Sequence, residues 1–191
     1  MNTTNTVASG YTMEIFVDHF PSDPRTEWEN MGTMVCFHNR YRLGDKHDYN
    51  SNDFDSWDGL KKQIIKDHDP AVILPIYMYD HSGVTISTKP FSCPWDSGQI
   101  GFIFMSKQIA KKEYGFSRLT KQIKERLTRY LMAEVKTYDQ YLNGDVYGFE
   151  IKDPEGNVIQ SVCGYYGREA AESEGKSELM YYNEKDSVSL Q

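Results

Sequence analysis

The clearest signal along the chain is a switch between two hydrophobic periods. From Tyr11 to Val17 the apolar positions Tyr11, Met13, Ile15 and Val17 alternate with polar ones, which predicts a half-buried β-strand. Thr33–His38 is a continuous apolar run and predicts a strand buried on both faces. Ala71–Tyr79 predicts a third strand. Pro75 within it cannot donate a ladder hydrogen bond, which places that strand at an edge or a bulge. Asp80-His81-Ser82-Gly83 is a turn from which Val84–Thr88 can return as a hairpin partner, and Gly101–Met105 predicts a further strand. Val146–Lys152 and Val158–Cys163 flank Asp153-Pro154-Glu155-Gly156-Asn157, a strong hairpin pattern.

Helical spacing appears between these strands. Leu119, Ile123, Leu127, Leu131 and Val135 recur every four residues, and Tyr130 and Tyr138 fill the three-residue steps of one long amphipathic helix. Ser117 is its expected cap and Asn143-Gly144 its stop. Shorter helices are expected over Leu60–Asp67, over Lys107–Tyr114 with Ser106 as N-cap and Gly115 beyond its end, and over Arg168–Glu174 up to Gly175. Residues 39–59 read as a long polar loop, and residues 176–191 as a polar, mobile tail behind a single domain of residues 1–175. Strands without regular β-α alternation predict an α+β fold, an antiparallel or mixed sheet with the long helix and the shorter ones packed on it. No glycine-rich phosphate loop follows a strand.

Charge changes this picture. The net charge of −7 hides a pattern: residues 1–60 carry ten acidic and four basic side chains, residues 61–136 seven and thirteen, and residues 137–191 eleven and four. An acidic beginning and end flank a basic middle, a layout that bears on partners. Three scattered cysteines, Cys36, Cys93 and Cys163, argue against a secreted disulfide scaffold and for a reducing, cytoplasmic setting. The first residues have neither a basic nor an apolar leader segment, and no apolar run is long enough to span a bilayer, so neither a signal peptide nor a membrane partner is expected.

Three places carry candidate chemistry. In the long loop, Asp45, Asp48, Asp53 and Asp55 interleave with Tyr49, Phe54 and Trp57, an acidic surface with aromatic anchors suited to a basic partner. Asp48, Asn50 and Asn52 begin like a calcium loop, but Asp53 stands where glycine is required and Gly59 where the bidentate glutamate belongs. A basic row, Lys107, Lys111, Lys112, Arg118, Lys121, Lys124 and Arg129 (with Arg126), is opposed only by Glu113 and Glu125 and would suit phosphates. Around Cys93, Trp95 and Asp96, with His81 across the hairpin, an enzyme centred on Cys93 and Asp96 is an alternative; an ordinary rigid turn packed by an aromatic is the plainer reading. Cys36 and His38 share a strand face, but two ligands make no metal site, and neither a metal nor a cofactor nor a catalytic residue is assigned.

Three stretches, Asn30–His38, Trp95–Ile103 and Thr137–Phe149, resemble a family of small proteins encoded by bacteriophages and related mobile elements, over most of residues 12–166. The resemblance transfers no functional residue; it implies a setting in which small acidic proteins act as anti-defence factors, among them anti-CRISPR and antirestriction proteins. The expectation is a non-enzymatic inhibitor that binds a host protein or ribonucleoprotein complex in the bacterial cytoplasm through its acidic and aromatic surface. Direct nucleic-acid contact through the basic helical segment 107–129 is the alternative.

Overall fold

The computed structural model describes residues 4–6 and 10–189. The fold is α+β. Its strands form two four-stranded antiparallel sheets instead of one, and the chain divides into two compact units. One unit comprises the described residues up to Ser22 together with those from Gln140 onward; the other is Asp23–Asp139.

The first unit has the sheet order β1 (Thr4–Thr6), β2 (Thr12–Val17), β7 (Val146–Lys152), β8 (Val158–Tyr166), with α4 (Arg168–Ser189) against it. The predicted alternation holds in β2. Met13 and Ile15 point into a core with Phe149, Ile151, Ala171 and Leu179, while Glu14 faces the other way and pairs with Lys152 at 2.6 Å. The β7–β8 hairpin turns on Asp153: its carbonyl accepts from Gly156 N at 2.9 Å and its carboxylate from Asn157 N at 2.7 Å, with Gly156 at φ +87°. One expectation fails here. The last helix does not stop at Gly175 but runs on to Ser189, and residues 176–189 are helical. Gly175 is buried because the helix lies close on the sheet: a Cβ there would stand 2.5 Å from Met13 Sδ and 3.0 Å from Phe149 Cγ. Leu179 and Tyr182 then continue the packed stripe.

The second unit has the order β3 (Thr33–Cys36), β6 (Ser97–Ser106), β4 (Pro70–Asp80), β5 (Val84–Ser87). Pro75 is accommodated because β5 pairs only with Tyr77–Asp80, so at Pro75 the strand has β6 alone beside it. β6 is buried on both faces. Phe102 and Phe104 meet α1 (Trp57–His68) through Leu60 and Ile64; Ile103 lies on the opposite face, where Gly32 separates it from Leu131 of α3 (Lys121–Leu142). Gly101 is obligatory, since a Cβ there would fall 1.9 Å from the Val35 carbonyl oxygen. α2 (Lys107–Tyr114) has the expected caps, Ser106 Oγ accepting from Ile109 N at 3.2 Å and Gly115 in the left-handed region. α3 starts later than expected: Thr120 Oγ1, not Ser117, accepts from Ile123 N at 3.3 Å.

Candidate functional site

At the end of the second unit's sheet, three strands deliver polar side chains to one place. β3 runs out through Phe37, whose N–H donates to Ile100 O at 2.8 Å, and leaves His38, Asn39 and Arg40 at the mouth of a cleft. β4 ends there at Asp80, tied to the incoming β6 by its N–H to Asp96 O at 2.9 Å. The cleft has a volume of about 400 Å³ and is lined among others by His38, Arg40, Asp80, Trp95, Asp96 and Gln99. Its charges are partly paired. Arg40 Nη2 donates to Asp80 Oδ2, and Tyr41 Oη donates to the other oxygen at 3.4 Å. The Arg40 side chain remains 69% exposed and lies 5.6 Å over the Tyr41 ring. His38 Nδ1 accepts from Arg40 N and Tyr41 N, both at 3.3 Å, and its ring stacks on Tyr41 with centroids 5.0 Å apart.

Trp95 stands on the rim, 92% exposed. The ring packed in this segment is Phe91, whose centroid lies 5.8 Å from that of Tyr79. The turn is held by Ser97 Oγ, which donates to Cys93 O, and by the Cys93 thiol, 3.6 Å from Asp96 Oδ2. Among the described residues the indole makes no hydrogen bond or ring contact. The thiol's recorded partner is a carboxylate, whereas His81 sits exposed against Tyr79. Among the described residues no hydrogen bond joins Cys93 to a histidine.

The acidic loop is divided differently from its sequence reading. Tyr49, Phe54 and Trp57 are half-buried against the cluster of Val35, Leu60, Ile64, Phe102 and Phe104; Trp57 stacks on Phe37 at 6.3 Å and meets Phe102 edge-on. Tyr49 Oη donates to Asp67 Oδ2 at 3.0 Å, and burial together with that carboxylate pushes the phenol up to about 12. Asp48, Asp53 and Asp55 are exposed. Asp45 is not free for a partner: it takes two bonds from Arg25, at 2.8 and 2.6 Å, and one from Met34 N at 2.8 Å.

The basic row is on the surface, as that reading requires. Lys107, Lys111, Lys112, Arg118, Lys121, Lys124, Arg126 and Arg129 are all exposed. Lys107 pairs with Asp69 at 2.6 Å and Arg126 lies 4.6 Å over the Tyr114 ring, while the contacts of Lys112 with Glu113 and of Lys121 with Glu125 are loose, at 3.9 Å. Among the described residues no group of three His, Cys, Asp or Glu side chains is gathered for a metal, and no helix is long and apolar enough to cross a membrane.

Sequence reasoning missed Arg25, Glu134, Arg40, Asp80 and Gln99. Arg40 and Asp80 are 40 residues apart and carry no local pattern; only the run-out of adjacent strands joins them. The sequence matches no protein-family model, and no curated protein and no solved structure matches it.

Proposed function

We propose that this chain is a protein-binding inhibitor of a bacterial nucleic-acid-targeting complex, of the anti-CRISPR or antirestriction type, and that it engages a basic partner surface through the Trp95 cleft. The observation that carries this reading is the indole of Trp95, 92% exposed beside Asp96 and at the mouth of a polar cleft. Exposed tryptophan and arginine beside shielded polar groups are the usual anchors of protein interfaces. A lysine or arginine that a host protein uses to grip phosphate is drawn to the exposed indole and to the Asp96 carboxylate of the next residue. Cation–π attraction there is worth about 0.5–2 kcal/mol, more as water is excluded.

The distribution of charge supports the same class of partner. Residues 1–22 and 140–191 carry twelve acidic and four basic side chains, whereas residues 23–139 carry sixteen and seventeen. The first unit thus holds essentially all of the net negative charge, which speeds encounter with a cationic surface at low salt. The phage and anti-defence setting itself comes from the sequence resemblance.

The test is affinity capture from a bacterial lysate with the wild-type chain, Trp95→Ala and Asp96→Arg. Retention of a nucleic-acid-processing complex by the wild type, lost in both variants and weakened by salt, is expected. Equal capture by all three proteins would refute the assignment to this cleft. A second reading, nucleic-acid binding by α2 and α3, is favoured by the exposure of all eight cations. It predicts a mobility shift of short duplex DNA or RNA that disappears when Lys121, Lys124 and Arg129 are changed to glutamate.

A further inference from the structure

A second depression of the Asp23–Asp139 unit, of about 600 Å³, lies between the edge strand β5 and α3. Its strand side is Thr85, Ile86, Ser87 and Thr88, continued by Phe91; its helix side is Arg129, Met132, Ala133, Val135, Lys136 and Asp139. Residues 129, 132, 133 and 136 follow helical spacing and share one face of α3. That face does not look like ordinary helix surface. Met132 is 39% exposed and Ala133 is exposed, Ile86 and Val135 form an apolar floor, and exposed cations stand two turns apart at either end. No ion pair is recorded for Arg129 or Lys136 among the described residues; the nearby Glu125 meets Lys121 instead.

Two features narrow the occupant. The groove's one carboxylate, Asp139, is already engaged, its Oδ1 accepting the outward-facing N–H of Ile86 at 2.8 Å. That bond also closes the β5 edge to strand addition, because an incoming peptide would have to displace it. What stays open is an apolar trough with positive ends, of a size usual for small-molecule sites.

We propose that this groove binds an anionic amphiphile: a carboxylate or sulfonate head held at one of the two cationic ends, by Arg129 or by Lys136, with a hydrocarbon or aromatic body laid over Met132, Val135, Ile86 and Phe91. The charge complement and the apolar floor each select for this class; a neutral apolar compound would leave the cations unused, and a cationic one would be repelled. The site is separate from the Trp95 cleft and its occupation does not depend on the function proposed for that cleft.

The test is a fluorescence titration of 8-anilinonaphthalene-1-sulfonate into the full chain, followed by competition with decanoate and with decyltrimethylammonium. Saturable one-to-one binding is expected, displaced by decanoate and not by the cationic detergent. Arg129→Glu combined with Lys136→Glu should weaken the dye by about tenfold or more, as expected when the charge at both ends of the trough is reversed. Ala133→Trp should block it by filling the trough. All three positions are exposed, so circular dichroism and melting temperature should match the wild type. Absence of saturable binding, equal competition by both detergents, or unchanged affinity in both the charge-reversal and the trough-filling variants overturns the proposal.

Discussion

Removing the guanidinium of Arg25 should cost the second unit a large share of its stability. The side chain is 1% exposed and makes four hydrogen bonds: two to Asp45, one to Glu134 Oε2 at 2.8 Å and one to Gly32 O at 2.7 Å. Glu134, its own side chain 8% exposed, uses its second oxygen to accept from Met31 N and Gly32 N, both at 3.1 Å. One cation thus pins the 23–32 loop, the residues before β3 and the 43–45 loop to α3. Burial pushes the Glu134 carboxyl up from its ordinary value, opposed by those N–H groups and by Arg25. Arg25→Met removes the positive charge that, among the described residues, pairs with both Asp45 and Glu134, and breaking a buried pair from one side costs about 3–5 kcal/mol. Domains have only about 5–15 kcal/mol in total, so the variant should be near the limit of folding.

The assay is urea unfolding followed by tryptophan emission. Trp28, Trp57 and Trp95 all lie in Asp23–Asp139, so the signal reports that unit. Arg25→Lys should be intermediate, since an ammonium keeps the charge but cannot form the planar fork. The pH dependence has a definite sign. Glu134 binds its proton more tightly folded than unfolded, so its contribution favours folding in acid and is lost as pH rises through the raised folded value. Without Arg25 that value rises further, so the deficit of Arg25→Met should shrink on acidification. A loss under about 1 kcal/mol at neutral pH, the range of exposed ion pairs, would refute the reasoning.

Two further outcomes follow from burial. Cys36 is 8% exposed and burial pushes its thiol up to about 12, so iodoacetamide at pH 8–9 should leave it unmodified in the native chain and alkylate it in urea; native labelling at the rate of exposed Cys163 would contradict the packing of β3. Gly175→Val must push a methyl-bearing carbon into Met13 and Phe149, and overpacking of this kind costs about 1–3 kcal/mol; a melting temperature equal to wild type would mean that α4 does not lie close on the first sheet.

The misreading of α4 has the same physical root. Its buried face is Ala171, Gly175, Leu179 and Tyr182, a helical spacing whose first two members are small. Small residues contribute little to an apolar stripe, and a glycine at that point reads as a stop signal, when here it marks close approach of a helix to a sheet. The stripe of α3, built from leucines and valine, is legible for the opposite reason. Pairing of β2 with β7, and hence the division into two sheets, is set by contacts more than 100 residues apart and leaves no local trace.

The exchange of roles between the two aromatic segments is more instructive. Tyr49, Phe54 and Trp57 are each flanked by exposed polar residues, and in the fold each aromatic turns inward while its neighbours Asp48, Asn50, Asp53, Asp55, Ser56 and Asp58 turn out. The aromatics at 49, 54 and 57 keep no two-residue period, so their inward packing leaves no strand-like signature; the aspartates beside them take the outward positions and share no surface with the rings. In Phe91-Ser92-Cys93-Pro94-Trp95-Asp96 the alternation is present, and Phe91 and Cys93 are half-buried, but Trp95 is exposed. The turn of this segment is closed by Ser97 Oγ and the Cys93 carbonyl, Phe91 is the ring that packs, against Tyr79, and Trp95 is left in solvent. An exposed indole that serves no internal contact is the feature most readily explained by a partner. For that reason Trp95, ahead of the more acidic loop, is where binding should fail first when it is mutated.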